Sequence, residues 1–449
     1  MERQYHPRPR GQLESLIRGS RRPTKPAAII KGHSRHSPRS AIDVRMATTD
    51  FLVVGGGIVG ISIARELRSR HPDLAVTVLE KEPSCGRHAS GRNSGVLHAG
   101  FYYTADSLKA RFTRDGNRAL TAYCERRGLP LNRCGKLVVA RTVADHPQMD
   151  ELMRRGAANG VELESITEAE ARRIEPRVKT CERAIWSPRT STADPGAVLD
   201  AMRQDAEREG IAFALADGFC RRRGDEIDTV RGTWRAGYLV NAAGLQADRI
   251  ARQYGFSEHY RILPFKGLYL YGAESAGPFR TNIYPVPDLR NPFLGVHFTV
   301  TVDGHAKIGP TAIPAFWREQ YAGLAGFSLR DLVEITGLQC GLLFSAGFEF
   351  RRLAFEELRK YDRRHLVSLA GELARDVRAD DWRRWGRTGI RAQLLDVRTR
   401  KLEMDFVIEG DDRSMHVLNA VSPGWTCSIP FASYVVDAIA REASGTPAA

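Results

Sequence analysis

The stretch from Asp50 to Glu82, DFLVVGGGIVGISIARELRSRHPDLAVTVLEKE, restricts the fold more tightly than any other part of the chain. Phe51 to Val54 form a short apolar run of the kind that lies buried in a parallel sheet. Gly55, Gly57 and Gly60 follow in the spacing G-x-G-x-x-G. The first glycine allows a tight turn, the second lets backbone approach a pyrophosphate, and the third lets helix and strand pack closely. Ile58, Ile61, Ala64, Arg65 and Leu67 recur at helical spacing, so the helix N-terminus aims its unpaired N–H groups at the phosphates. Ala75 to Leu79 make a second strand. Glu80 ends it, 20 residues past Gly60, where a carboxylate accepts from ribose hydroxyls. A glycine pattern alone says little; strand, turn, helix, strand and acid in order specify a dinucleotide site. Glu80 also disfavours a 2′-phosphate, which argues against NADP but leaves nicotinamide and flavin dinucleotides open.

Three later stretches favour a flavin. SGRNSG at 90–95 supplies Ser90, Arg92, Asn93 and Ser94, with backbone groups suited to a pyrophosphate and a ribityl chain. VNAAG at 240–244 is an apolar strand whose end residues, Ala243 and Gly244, let backbone approach a flat ring system. NAVSPGWTCS at 419–428 sets Pro423, Gly424 and Thr426 at the start of the last helix, an end that stabilises negative charge on a reduced ring. Each alone reads equally well as a loop, a strand end or a helix cap. Their order along one chain is what carries weight. Lys81, beside Glu80, and Gly389 complete the expected FAD-binding set.

At 449 residues the chain is long enough for two or three compact units. Its 42% hydrophobic and 8% aromatic content is that of a globular protein. A formal net charge of +14 raises nucleic acid as a partner, but residues 1–45 hold eleven Lys and Arg against three acids. The tail therefore carries +8, only +6 falls on the rest, and no nucleic-acid partner is expected. That tail lacks the apolar region of a secretory signal. It reads as a disordered basic arm or as sequence ahead of a true start at Met46, the second being favoured. Seven cysteines lie scattered without a CxxC pair, so neither a disulfide framework nor a metal site is expected, and a reducing compartment is. The longest apolar stretch, ITGLQCGLLFSAGF at 335–348, has 14 residues. It falls short of the ~20 that span a bilayer and reads as a buried helix and loop, able at most to touch a membrane surface.

The order of elements predicts an α/β protein: a Rossmann-like FAD-binding domain built from both chain ends, with an inserted α+β, mixed-sheet substrate domain. The expected division is a tail at 1–45, a first FAD-binding part at 46–130 and a mixed substrate and FAD region at 131–235. A second FAD-binding part at 236–255, the substrate domain at 256–385 and a third FAD-binding part at 386–449 complete it. Within the insert, FLGVHFTVTVDGHAKIGP at 293–310 reads as a hairpin turning at Asp303-Gly304.

Eight stretches carry a closer likeness: GRNSGVLHAGFYY (91–103), SLKARF (107–112), RCGKLVVA (133–140), LVNAAGLQADRIA (239–251), NIYPVPD (282–288), PFLGVHFT (292–299), GIRAQ (389–393) and HVLNAVSPG (416–424). In these the chain resembles the L-2-hydroxyglutarate dehydrogenase/oxidase family, FAD-dependent oxidoreductases of the D-amino-acid oxidase fold class, over about residues 50–440. The resemblance implies non-covalent FAD and oxidation of L-2-hydroxyglutarate to 2-oxoglutarate, with electrons passing to a quinone or another acceptor. It also implies a cytoplasmic protein held peripherally at the inner face of the cell membrane.

Such a reaction moves a hydride from C2 to the flavin and the hydroxyl proton to a base, and its dianionic substrate needs two cationic or hydrogen-bonding clamps. Arg391, in GIR, matches the position that holds the α-carboxylate in the wider class, and its forked donors suit that task. His98 and His297 are the candidate bases. Tyr102, Tyr103 and Lys266 are candidates for the distal carboxylate, with Lys109 and Arg111 behind them. Cys85 and Cys427 read as packing residues rather than flavin attachments. The sequence departs from the family pattern at Leu268, where an acid is usual, and at Trp425 and Pro430. These departures leave open an oxidase of another substrate, an amino acid or glycerol 3-phosphate, and an FAD-binding protein without turnover; a tRNA-modifying flavoprotein, raised by the net charge of +14, is disfavoured because +8 lies in the tail.

Overall fold

Phe51 to Val54 are wholly or almost wholly buried because the strand that contains them, Met46–Val54, lies inside an eight-stranded sheet. It pairs in parallel with Val76–Leu79 on one side and Thr233–Asn241 on the other. Ala212–Ala214 extends the sheet beyond the first neighbour and Ser414–Asn419 joins beside the second, again in parallel. Residues from both ends of the chain thus build one sheet, as the apolar runs predict. The structure is a computed structural model that describes residues 46–289, 294–345 and 355–444. The 1–45 tail and the last three residues of the 335–348 stretch lie outside the described residues.

Helix Ile58–Arg70 buries Ile58, Ile61, Ile63, Ala64 and Leu67 on this sheet, in one core with Val198 and Met202 of helix Pro195–Arg208 and Phe431 and Val435 of helix Ser428–Ala443. Pro430 sits in the first turn of that last helix, where its missing N–H breaks no intrahelical bond.

A second eight-stranded sheet is mixed and lies in the inserted part. Its middle strands run in the order Ala306–Gly309, His297–Val300, Asn282–Pro285, Lys136–Val139 and Arg183–Ser187. The first two make the hairpin expected around Asp303-Gly304. Side chains alternate along each strand. Leu137, Val139, Ile283, Phe298, Val300, Ala306 and Ile308 share one core with Leu366, Val367 and Ala370 of helix Arg363–Gly371. The register pairs Thr299 with Lys307 and Ile283 with Phe298, so Lys136, Tyr284, His297, Thr299 and Lys307 all fall on the opposite face. One side of the sheet is a core; the other is made of lysine, histidine, tyrosine and threonine.

A four-stranded sheet joins the two parts. In it Gly389–Asp396 pairs with Tyr260–Gly267. The chain returns to the cofactor sheet at Val407–Gly410, while Gly389, Ile390 and Arg391 of the joining strand line the cofactor cleft. The 131–235 range also divides. Its strands up to Ser187 belong to the mixed sheet, whereas Ala212–Ala214 and Phe219–Arg223 belong to the cofactor sheet. The layers are latched by a buried ion pair: Arg318 donates from Nη1 to Asp248 Oδ1 at 2.6 Å and from Nη2 to Oδ2 at 2.9 Å, both side chains being fully buried. Asp248 also accepts from the Ile262 N–H at 3.2 Å. Removing one partner of a buried pair strands the other charge, so Asp248→Ala is expected to cost about 3–5 kcal/mol, read as a lowered urea midpoint of the purified protein.

Candidate active site

A cleft opens at the C-terminal ends of the parallel strands, where Gly55, Glu80 and Ala242 meet. Its first section is made of close backbone approaches. Gly55 has φ +117°, and a Cβ there would lie 2.4 Å from the Ala242 carbonyl oxygen. A Cβ on Gly60 would stand 2.0 Å from the Gly55 carbonyl oxygen, so the first helix can leave the turn only with glycine at both places. The helix N-terminus is capped from a distance: Ser90 Oγ accepts from the Ile58 N–H at 3.0 Å, and a Cβ on Gly57 would stand 2.9 Å from that oxygen. Buried Glu80 accepts from the N–H groups of Gly56 at 2.7 Å and Glu82 at 2.9 Å. Its carboxylate is thus held in one orientation at the cleft wall. Lys81 lines the cleft too, ion-paired with Glu82 and Glu319. These two acids come together with His88 at the mouth, but Lys81 pairs with both and Tyr321 Oη lies 2.7 Å from His88 Nδ1, so the cluster is already partnered.

The 90–95 loop lines the middle of the cleft, and its side chains bond chiefly to protein backbone. Asn93 donates to the Ser90 carbonyl at 2.8 Å and accepts from the Gly95 N–H at 2.8 Å. Arg92 donates to the carbonyls of Arg87 at 2.6 Å and Thr388 at 3.1 Å, and lies 4.4 Å over the Tyr321 ring. A Cβ on Gly389 would come within 2.6 Å of the Arg92 carbonyl oxygen, which explains the glycine at that crossing. The Ser94 carbonyl accepts from Lys307 Nζ at 3.0 Å.

The far end is where the last helix begins. A Cβ on Gly424 would stand 2.1 Å from the Ala420 carbonyl oxygen, and Ala243 and Gly244 form the facing wall. Buried Thr426 donates from Oγ1 to the Val96 carbonyl at 3.1 Å and accepts from the His98 N–H at 3.3 Å, tying the start of the helix to the segment that carries His98. Trp425 lines the cleft, and its indole N–H finds no partner among the described residues. Leu268 does not line it; its backbone N–H donates to Thr311 Oγ1 at 3.1 Å and its carbonyl accepts from the Thr311 N–H at 3.3 Å. Of the two family departures on this side, Trp425 alone faces the cleft. Cys85 and Cys427 are buried, and burial pushes both thiols up to about 12, in keeping with packing roles.

His98, Tyr269 and Arg391 line the cleft at this end. Burial holds the His98 imidazole well below its ordinary pKa, and Lys136 and His297 add to the effect. His297 stacks on Tyr284 with ring centroids 3.7 Å apart, and its Nδ1 lies 2.8 Å from the Gly295 carbonyl oxygen. Nδ1 must therefore be the donor, which leaves Nε2 with its lone pair. Burial is the main cause that carries the His297 pKa down to about 3, with Lys136, Arg391 and Lys307 contributing. Both histidines are neutral at ordinary pH. Arg391 reaches the Thr311 carbonyl at 3.4 Å.

The remaining candidates disperse. Tyr102 is buried under Lys136 with an unpartnered hydroxyl. Tyr103 faces Lys109, whose Nζ is 5.7 Å from its ring centroid, and burial lowers the Lys109 pKa to about 8. Arg111 stacks on Phe112. Lys266 pairs across the sheet with Ile390 and does not line the cleft, so it is not brought to the other candidates. Three residues not singled out in the sequence are brought instead: Tyr269, Lys307 and Lys136. For Lys307 the signal was the alternation in HFTV and AKIG, which puts polar side chains on one face of buried strands; KLVV around Lys136 and the surroundings of Tyr269 carry no such pattern.

The FAD dependent oxidoreductase family matches residues 50–438. The chain is 37% identical over 426 residues to the mitochondrial L-2-hydroxyglutarate dehydrogenase of Nematostella vectensis, covering 87% of this chain and 90% of that one. It is 35% identical over 396 residues to the L-2-hydroxyglutarate dehydrogenase of Escherichia coli K12, covering 87% and 93%. Among solved structures it is similar to the FAD-bound L-alpha-glycerophosphate oxidase of Mycoplasma pneumoniae, with a TM-score of 0.69, 19% identity and coverage of 88% and 95%. Glycine oxidase from Geobacillus kaustophilus gives a TM-score of 0.65, again at 19% identity, covering 90% and 96%. At that identity the structures speak for the fold. The glycine cradle, the first helix's N-terminus and Glu80 fit the dinucleotide half of FAD. Gly60→Ala tests the fit. Overpacking of about 1–3 kcal/mol translates into FAD affinity weaker by about ten- to hundredfold, measured as flavin retained after dialysis.

Proposed function

The chain belongs to the FAD-dependent oxidoreductase family, and on that footing we propose that it oxidises L-2-hydroxyglutarate to 2-oxoglutarate. The observation that carries this reading is the agreement between relatives of that activity and a cleft end lined by a neutral imidazole, His98, and by Arg391. FAD, when bound, supplies the hydride acceptor. Arg391 clamps the carboxylate next to the reacting carbon through its paired N–H donors. His98, neutral at rest and held by the Thr426 clasp, takes the hydroxyl proton. A bound dianion raises the proton affinity of a nearby imidazole, so the base strengthens when substrate is present.

Mixing holoenzyme anaerobically with millimolar L-2-hydroxyglutarate is expected to bleach the visible flavin band; an unchanged spectrum would reject this substrate. Amino acids and glycerol 3-phosphate, tried in parallel, test the alternative suggested by the similar oxidase structures. His98→Asn should lower kcat by about 10²–10⁴-fold with FAD retained, whereas an equal loss from His297→Asn alone would move the base to that residue.

A quinone or another acceptor reached from a membrane surface is our proposal for the electron sink, with the protein cytoplasmic and peripheral at the inner face of the cell membrane. Among the described residues no helix is long and apolar enough to cross a bilayer. Helix Leu329–Ser345 instead exposes Leu329, Val333, Gly337 and Cys340 in a stripe without charge, close in sequence to exposed Leu324 and Phe327. Apolar side chains exposed in a contiguous stripe suit shallow insertion among headgroups. The holoenzyme should co-float with vesicles of mixed neutral and anionic phospholipid. Leu324→Glu with Val333→Glu should abolish flotation while leaving flavin bleaching by substrate intact.

A further inference from the structure

We propose that Lys136 anchors the substrate's distal carboxylate and thereby selects a dicarboxylic over a monocarboxylic 2-hydroxy acid, an assignment that rests on the active-site reading above. Lys136 opens strand Lys136–Val139 and is fully buried on the polar face of the mixed sheet. Its Nζ has no hydrogen-bond partner among the described residues. Three ring faces surround it, with centroids 4.6 Å away at Phe101, 4.6 Å at Tyr102 and 4.8 Å at Tyr284. Aromatic faces attract an ammonium but replace only part of its hydration, so a buried lysine of this kind lacks a counter-ion. A second group beside it is in the same state: the Tyr102 hydroxyl is buried and unpartnered.

Two orphaned polar groups side by side are what a carboxylate requires of its receptor, a charge and a second hydrogen bond. Their position suits the substrate. The Tyr284 ring beneath Lys136 stacks on His297 with centroids 3.7 Å apart, on the sheet face from which Lys307 reaches the carbonyl of the cleft-lining Ser94 at 3.0 Å. Burial alone brings the Lys136 pKa down to about 7, and an incoming anion restores the charged form. Arg391 and Lys136 then hold the two ends of one dianion with the imidazole between them. The sequence reading gave this task to Lys266, which pairs across the joining sheet with Ile390.

Lys136→Met keeps the length and removes the charge, and loss of an unpaired buried ammonium should leave FAD content and melting temperature in place. The two substrates to compare are L-2-hydroxyglutarate and L-2-hydroxyvalerate, which has the same carbon chain without the distal carboxylate. Wild type should prefer the diacid. In the variant kcat/KM for the diacid is expected to fall about hundredfold, mainly through KM, while the monoacid changes by less than about threefold. Equal losses on both substrates, or no loss on either, overturn the anchor. Should wild type reduce its flavin with neither acid, the proposed activity fails by itself and glutarate becomes the probe of the anchor. A glutarate-induced shift of the bound-flavin spectrum that disappears in Lys136→Met supports the anchor; no shift in wild type, or the same shift in both proteins, refutes it.

Discussion

Everything in the cleft depends on the parallel register between Met46–Val54 and Thr233–Asn241. Val54 stands opposite Asn241, and this one alignment presses Gly55 against the Ala242 carbonyl. A slip of one residue would turn each buried side chain of the strand to the other face and move the turn away from the helix N-terminus. The same strand, Thr233–Asn241, carries Ser414–Asn419 on its other side, and that pairing delivers Gly424 and Thr426 to the far end. Phosphate end and ring end are therefore set by neighbours of a single strand.

The mixed sheet supplies the chemistry by a simpler device. Alternation alone sorts its residues, so that an ordinary apolar core forms on the helix side and a concentration of lysine, histidine and tyrosine on the other. Such a face is expensive to bury, because each polar group must find a partner or stay unsatisfied. His297 finds Gly295 and Lys307 finds Ser94. Lys136 finds only rings. The uneven distribution of partners distinguishes the groups that hold the scaffold from those left for a ligand.

The cofactor end was legible in the sequence because its determinants are local or spaced by rule. Gly55, Gly57, Gly60 and Glu80 fall within one strand–helix–strand unit, and the residues of the 90–95 loop stand where the pattern put them. Their tasks were less legible. Ser90 caps a helix 32 residues away, and Asn93 turns inward to hold its own loop. The distal end of the site was less legible, since Lys136 and Lys266 look alike on paper, each a lysine in a short strand. What separates them is the pairing of distant strands: one lands among three aromatic rings, the other opposite Ile390 outside the cleft. Nothing in GIRAQ states that its partner is Tyr260–Gly267 rather than the cofactor sheet.

Thr426 and Val96 share a hydrogen bond across 330 residues of chain. A nascent polypeptide can complete its glycine turn and first helix early in synthesis, yet it owns no ring pocket until nearly its last helix has emerged from the ribosome. Contacts of such sequence separation form late, after the entropy of closing the intervening chain has been overcome. Flavin loading is consequently a post-synthetic event, and the yellow colour of a preparation counts finished molecules. A truncated or stalled chain would hold a passable phosphate turn and remain colourless.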